Sequence, residues 1–229
     1  GGVGVVYGGK VLMTDSKIEY ASSSCAGGVL NLFGADANTE IYGCDILNCE
    51  STTYGGVFHH CLGSLLVHGG TNITKVSSLN GGVMSFGNTG VATFNGCTIT
   101  NATGSDGGCI WAGGMSLPAF SVAPHVSAPP WCLYPRLSHP LTSACAPSGG
   151  MLTLNGTTIV SSRASIGGVI SSSGGSILFT RSFATDSYAA TYAGFMFSTG
   201  AFMTVSESTI SHSTADMGGG MGVFGAGGG

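Results

Sequence analysis

Apolar residues recur along the chain in short groups that follow a pair of glycines, at a nearly constant distance. Successive groups start 26, 28, 26, 26, 60, 26 and 25 residues apart. A period near 26 residues predicts a repeat protein in which each repeat stacks on the next. The groups begin at Gly1, Gly27, Gly55, Gly81, Gly107, Gly167, Ala193 and Gly218.

Each repeat holds three short apolar zones separated by small or polar residues. The first follows the glycines, as in Val57-Phe58, and the second lies eight residues later, as in Leu65-Leu66-Val67. Such runs between Gly, Ser and Asn predict strands joined by tight turns, and no segment has a sustained helical period. The third zone is one large apolar residue, at Ile18, Ile46, Ile73, Ile99, Ile159, Phe183 and Ile210.

These patterns together predict an all-β fold: a right-handed parallel β-helix of about seven turns with three short strands per turn. Equivalent strands then pair in parallel about 4.8 Å apart, which places Val57 and Val83 directly over each other. Glycine suits the corners because it allows positive φ and close backbone approach. An antiparallel sandwich of hairpins is the alternative, but hairpins do not require so constant a period.

Composition and charge narrow the class of protein. The 229 residues are 43% hydrophobic and only 7% charged, and 41 are glycine, which indicates a packed chain. The six Lys and Arg are scattered, so no basic patch could bind nucleic acid. The uncharged stretch 187–206 is broken by Ser, Thr and Gly and keeps the repeat, so we expect no membrane span in this fragment.

The organisation is predicted to be one β-helix array over residues 1–229, cut from a longer chain. This follows because the first repeat starts at residue 1 and the last breaks off in the glycines 227–229. The 60-residue interval divides into 26 and 34, so deletion of 115–148 restores the period. This segment contains all seven prolines and is predicted to be an inserted irregular loop. It is either a functional loop or an artefact of the gene model, such as a retained intron.

One repeat has a recognisable pattern. The run that joins Ile159 and Ser162 to Gly167-Gly168-Val169-Ile170 resembles the repeat of the chlamydial polymorphic outer-membrane proteins, which pairs Phe-x-x-Asn with Gly-Gly-Ala-Ile. Ile159, Ser162 and Val169 stand where that family has Phe, Asn and Ala. The likeness covers nearly the whole chain outside 115–148. It implies a pectin-lyase-like β-helix and a surface-exposed adhesive or structural passenger.

Enzyme chemistry on polysaccharides would need two or three carboxylates that converge on one sugar bond. The ten acids are spread thinly, and the densest patch holds Asp36, Glu40, Asp45 and Glu50 within one turn. We interpret this patch as a solvated rim, because the nearest cations, Lys10 and Lys17, lie one turn earlier. Arg181 and Glu207 take the same position in adjacent turns and are predicted to form an exposed pair.

No cofactor or metal site is predicted. His59-His60-Cys61 is the one metal-like group, but adjacent strand residues point to opposite faces. The eight cysteines occupy different columns of the repeat and are interpreted mainly as small buried residues. Cys44 with Cys49, or Cys132 with Cys145 inside the insertion, could form a disulfide. The sequons at Asn72, Asn101 and Asn155 are candidate glycosylation sites in a secreted chain.

The function expected from these observations is that of a non-catalytic extracellular or cell-surface scaffold, adhesive or structural. Its partners would be cell-surface glycans or other surface proteins. The alternative is a carbohydrate-active β-helix, a lyase or glycoside hydrolase, with its site outside this fragment or near 36–50. Ice binding is a third hypothesis, but Thr74, Thr100, Thr158 and Thr209 do not predict a regular double file.

Overall fold

The structure is a computed structural model that describes residues 2–87, 90–113 and 150–224. These residues form 27 strands, numbered β1 to β27 in chain order, and every pairing between them is parallel. No helix in the described ranges is long and apolar enough to cross a membrane. Each repeat makes one coil of a β-solenoid, with about seven coils and three sheets along its length, so the predicted fold is confirmed.

The first sheet runs along the rod directly after the Gly-Gly corners. Its eight strands are β1 (Gly4–Val6), β5 (Leu30–Leu32), β9 (Phe58–His60), β12 (Met84–Phe86), β15 (Ile110–Ala112), β19 (Ile170–Ser172), β23 (Met196–Thr199) and β27 (Met221–Phe224).

The second sheet carries the second apolar zone of each repeat. Its seven strands are β2 (Gly9–Thr14), β6 (Ala37–Tyr42), β10 (Ser64–His68), β13 (Val91–Asn95), β16 (Met151–Asn155), β20 (Ser176–Thr180) and β24 (Phe202–Ser206).

The third sheet carries the isolated apolar residue and then bends into a second row of short strands. The main row is β3 (Lys17–Glu19), β7 (Asp45–Leu47), β11 (Asn72–Ser77), β14 (Thr98–Thr103), β17 (Thr158–Val160), β21 (Phe183–Thr185) and β25 (Thr209–Ser211). The second row adds β4 (Ser22–Ser23), β8 (Glu50–Ser51), β18 (Arg163–Ile166), β22 (Tyr188–Tyr192) and β26 (Thr214–Met217).

Equivalent residues lie directly over one another, as the repeat predicts. The N–H of Val57 donates to the carbonyl of Val83 at 2.9 Å. On the third sheet, Ile73 pairs with Ile99, which pairs with Ile159. Inward side chains therefore stack on their own kind along the rod and form one continuous core.

The prediction was wrong for one residue of the core column, Phe183. Ile159 pairs with Ala184 rather than with Phe183, and Ala184 is buried whereas Phe183 is 39% exposed. Side chains alternate strictly along a strand, so the distance from the preceding corner decides which residue faces inward. The corner at Arg181 fixes Ala184 inside, although Phe183 is the larger apolar residue.

The two glycines of each corner are required for different reasons. The first, such as Gly81 with φ 68°, is in the left-handed region that disfavours a side chain. The second is needed for contact between coils, since a Cβ on Gly82 would collide with the carbonyl oxygen of Gly108 in the next coil. Ala193 replaces the first glycine in the seventh coil and adopts φ 54°.

A column of hydroxyl and thiol side chains lines the corner between the second and third sheets. Ser182 is typical: its Oγ donates to the carbonyls of Thr180 (2.7 Å) and Leu154 (3.2 Å) and accepts the N–H of Thr157 (3.0 Å). Apart from the exposed Ser16, the column links each coil to its neighbours through buried or partly buried hydrogen bonds. Its members are Ser16, Cys44, Thr71, Cys97, Thr157, Ser182 and Ser208.

Variation in repeat length is concentrated at the corner between the first and second sheets. Two residues separate β1 from β2, four separate β5 from β6, and 38 separate β15 from β16. Across the longest of these connections Val91 still pairs with Met151, and Ile110 with Ile170. Residues 115–148 lie outside the described residues, so the predicted loop character of that segment stays a prediction.

Candidate binding surface

The outer face of the first sheet is buried over much of its length, unlike the outer faces of the other two sheets. Its central outward column includes Asn31, His59 and Ser85, which are 8%, 1% and 1% exposed. These three residues lie in register on the consecutive strands β5, β9 and β12. Parallel sheets are commonly covered on both faces, so this face is where the solenoid resembles a protein interior.

Flanking aromatic side chains contact His59 in this column. Tyr54 lies one residue before a Gly-Gly pair, in a column that also holds Asn80 and Asp106 and is joined by single parallel bridges. The Tyr54 ring lies 5.5 Å from that of His59 and 5.8 Å from that of Trp111, between ring centroids. Because Ser85 is small and lies on the strand between His59 and Trp111, one tyrosine reaches both rings.

These three rings and two more form a continuous row of ring contacts along the rod, which we call the aromatic strip. Phe33 lies 5.7 Å from His59 and 5.9 Å from Tyr7, between ring centroids. The strip therefore extends from the first to the fifth coil, and Tyr7 at its end is 58% exposed. Its members are Tyr7, Phe33, Tyr54, His59 and Trp111.

The same face carries a row of polar atoms without hydrogen-bond partners. They are Asn31 Oδ1, His59 Nδ1 and Ser85 Oγ, and each is inaccessible to solvent. Buried polar atoms in native proteins nearly always have a partner, and each exception calls for an explanation. Three such atoms lie in successive coils of a single column, which we call the polar row.

The surface is nearly free of charge. The five Lys and Arg residues in the described ranges lie on or beside the second and third sheets. Burial lowers the pKa of His59 to about 3, so this ring is neutral at physiological pH. Asp106 is an acid that shares the column of Tyr54, two coils further along the rod. Burial raises the pKa of its carboxyl group. The cations are Lys10, Lys17, Lys75, Arg163 and Arg181.

The predicted acidic patch does not converge. Glu40 is on β6 of the second sheet, whereas Asp45 and Glu50 are on β7 and β8 of the third, and Asp36 lies in the corner before β6. Glu40 pairs with His68 at 3.1 Å and with Lys10 at 3.4 Å, and these contacts lower its pKa. The prediction that Lys10 is too distant was wrong, because one turn earlier in sequence is the adjacent coil in space.

The His-His-Cys group divides between the two faces of its strand, as alternation predicts. His59 lies on the outer face with its Nε2 3.1 Å from Cys61 Sγ. His60 points into the core, where its ring stacks 5.3 Å from that of Phe86. Burial lowers the pKa of His60 to about 4 against an opposing interaction with the backbone of Gly63, and neither ring nitrogen makes a well-formed hydrogen bond. No group of three metal-ligating side chains occurs in the ranges that the structure describes.

The cysteines differ from their predicted arrangement. Cys44 and Cys97 share the hydroxyl and thiol column, with Thr71 between them, so the prediction of unmatched columns was wrong for this pair. Cys44 and Cys49 form no disulfide, and their Sγ atoms lie near the carbonyls of Tyr42 and Leu47, respectively. The candidate disulfide between Cys132 and Cys145 lies outside the described residues.

The three sequons lie in different environments. Asn72 is half-buried on β11, and its Oδ1 accepts a hydrogen bond from Thr74. Asn101 is exposed at a corner with φ 55°. Asn155 Nδ2 donates to Asn95, and Asn155 Oδ1 accepts from Arg181 Nε at 3.1 Å. Glycosylation at these positions stays a prediction.

The contact of Arg181 with Asn155 replaces the predicted ion pair. The Arg181 and Glu207 corners do lie in adjacent coils, because the N–H of Arg181 donates to the carbonyl of Ser206. The guanidinium, however, turns toward the preceding coil and forms no ion pair with Glu207.

Two outward columns of the third sheet are rich in threonine. Thr98 pairs with Thr158, and Thr100 pairs with Val160. In the next coil, Thr158 pairs with Phe183. Val160 and Phe183 thus interrupt the two columns, which agrees with the expectation that no regular double file of threonine is present.

A comparison of the chain with protein-family models, with curated proteins and with solved structures finds no match to any of them. The parallel β-solenoid therefore stands on the structure alone. Assignment to the pectin-lyase-like class, or to the polymorphic outer-membrane proteins, stays a prediction.

Proposed function

We propose that this chain is a non-catalytic β-solenoid scaffold that works outside the cell or at its surface, in adhesion or as a structural rod. The observation that carries the proposal is the contrast between its faces. The acids of the predicted patch are divided between two sheets, whereas the aromatic strip and the polar row share one continuous face. Such a face is suited to contact along the rod rather than to chemistry at one point.

The fold supports a scaffold role in a second way. Each coil contacts only its neighbours, so the array forms a long surface whose binding groups repeat at the coil spacing of about 4.8 Å. Within the described ranges, no carboxylate is paired with a second one across a cleft as glycoside hydrolysis requires. No specific contact therefore favours the carbohydrate-active alternative.

The catalytic alternative is tested by a turnover screen. Purified protein would be incubated with acidic and neutral polysaccharides, and new reducing ends and unsaturated products would be measured. We expect none above the level of a boiled control. Turnover that is abolished in the Asp45→Ala variant would overturn the proposal.

Adhesion and location need a separate test. Beads coated with the chain would be applied to immobilised polysaccharides and to glycoproteins before and after enzymatic removal of their glycans. Antibodies would label intact, unpermeabilised cells of the source organism. We expect bead retention on at least one surface and labelling without permeabilisation. Labelling that requires permeabilisation would contradict the extracellular assignment.

A further inference from the structure

Two buried histidines lie side by side in the third coil, on the three-residue strand β9. His59 is 1% exposed on the outer face, and His60 is fully buried in the core. A charged imidazole loses its hydration when it is buried, so both rings must be neutral for this strand to stay in place. The third coil therefore holds two groups that acid would charge within one buried strand.

The surroundings of His60 leave no place for a charged ring. Its imidazole stacks on Phe86, and a Cβ on Gly90 would collide with its Cε1 atom. Neither ring nitrogen makes a well-formed hydrogen bond. Burial lowers the pKa of His60, and the backbone of Gly63 opposes this effect only in part. Protonation of His60 therefore requires its ring to leave the core.

The surroundings of His59 are also those of a neutral ring. Phe33 and Tyr54 lie 5.7 and 5.5 Å from it, between ring centroids. Its Nε2 lies 3.1 Å from Cys61 Sγ, and a neutral imidazole nitrogen can accept the thiol proton at that position. Burial, and after it positive charge on His60 and on the N-terminal amine, lower the pKa of His59 to about 3.

No acid compensates a charge on these rings. Among the described residues, no carboxylate contributes to the pKa of either histidine. The titratable groups in contact with His59, apart from its neighbour in sequence, are Tyr54 and Cys61, and both are neutral in acid. The residues in register with the two rings on β5 and β12 are uncharged: Asn31, Leu32, Ser85 and Phe86.

We propose that acid opens the rod at its third coil, because protonation of His59 and His60 forces β9 out from between β5 and β12. Each coil is held only by its neighbours, so one coil can open while distant coils stay folded. Both folded pKa values lie below the ordinary value of about 6.5, so the stabilisation is complete above that pH and is lost as the pH falls. Opening of this kind is independent of what the rod binds.

The test is hydrogen exchange of the full 229-residue chain at pH 7.5, 5.5 and 4.5, measured by mass spectrometry and corrected for the intrinsic pH dependence of exchange. We expect protection of the β9 amides to fall at least about a thousandfold between pH 7.5 and 4.5, since each histidine contributes roughly a hundredfold. Strand β20, which has no titratable residue, should lose less than about tenfold. Return to pH 7.5 should restore protection.

The deciding variants are His60→Leu and His59→Phe, with Glu40→Gln as the matched control. Each histidine variant removes one titrating group and keeps an apolar side chain in its place, so each should reduce the loss of protection at β9 about a hundredfold. Glu40 lies on β6 of the adjacent coil, and contacts with His68 and Lys10 lower its pKa, so it also titrates in acid. Glu40→Gln should leave the loss at β9 unchanged within about fivefold, because an exposed ion pair contributes little.

Three results would overturn the inference. The first is full protection of β9 at pH 4.5, and the second is an equal loss at β9 and β20, which would show that acid unfolds the array as a whole. The third is a loss at β9 that persists in the double variant His59→Phe/His60→Leu. If one histidine variant fails to fold at pH 7.5, the other alone decides, because each removes one of the two charges.

Discussion

Neighbouring residues of this chain can have opposite environments, and His59 and His60 show how. His59 belongs to the aromatic strip on the outer face and His60 lies in the core, because successive side chains of a strand point to opposite faces. Alternation was predictable from sequence. The contact of the outward residue with Tyr54 was not, because Tyr54 belongs to the preceding repeat.

Acid should destabilise the protein through these histidines. The folded-state pKa of His60, about 4, lies below the unfolded value of about 6.5, so the unfolded chain takes up protons first as pH falls. The contribution is fully present above pH 6.5 and decreases as pH falls toward 4. For His60 alone we expect a loss of about 2–3 kcal/mol between pH 7.5 and 4.5, measured by urea unfolding.

The His60→Leu variant separates this residue from the other titrating groups. It should show a smaller loss over the same pH range and equal or greater stability at pH 7.5, because it removes two unpartnered nitrogens from the core. His68→Gln serves as the surface control. An unchanged pH dependence in His60→Leu would show that His60 is not buried as a neutral ring.

The hydroxyl and thiol column should be sensitive to loss of a single oxygen. Ser182→Ala leaves the buried N–H of Thr157 without its acceptor, so we expect a loss of about 1–3 kcal/mol in the free energy of unfolding. Ser182→Cys should be milder, because Cys44 and Cys97 already occupy this column in other coils. Equal losses in both variants would indicate that side-chain volume, rather than hydrogen bonding, matters there.

At the scale of the strand and its corner, sequence reasoning succeeded where a residue type is forced by the backbone. The Gly-Gly pairs fixed the coil boundaries, and the registers of Ile73, Ile99 and Ile159 followed from them. It failed at Phe183, where the distance from the corner places Ala184, and not Phe183, on the inner face of the strand. It also failed where residues distant in sequence meet across coils, as Lys10 and Glu40 do. The aromatic strip was missed for this second reason.

The second glycine of a corner should tolerate no side chain. Gly82→Ala would place a methyl group against the backbone of Gly108 and Thr103, which cannot move without disturbing the ladder. We expect a loss of about 3 kcal/mol or more by urea unfolding. Gly174→Ala is the matched control: it has open space and should change stability by less than about 1 kcal/mol. Similar losses in the two variants would contradict the close packing of coils at Gly82.

At the scale of the whole molecule, stability should vary along the rod because each coil is held only by its neighbours. Leu152, Leu154 and Ile159 in the fifth coil are fully buried, whereas Met203, Val205 and Ile210 in the seventh are only partly so. A solenoid of this kind behaves as a row of coupled units whose central members open least often.

Hydrogen exchange measured by mass spectrometry should show this gradient in the 229-residue chain. We expect backbone amides of β16 and β17 to exchange slowest and those of β24 and β25 to exchange at least tenfold faster, under conditions where the chain stays folded. Uniform protection from the second coil to the seventh would instead show that the array opens as one cooperative unit.

The connection between the first and second sheets has a further consequence. It contains two residues in one coil and 38 in another, yet the strands on either side keep their partners. The segment inserted at this corner can therefore change in length and sequence while the strands on either side keep their pairing. Peptides or small domains grafted at this corner in successive coils would project from one side of the molecule, spaced in steps of about 4.8 Å.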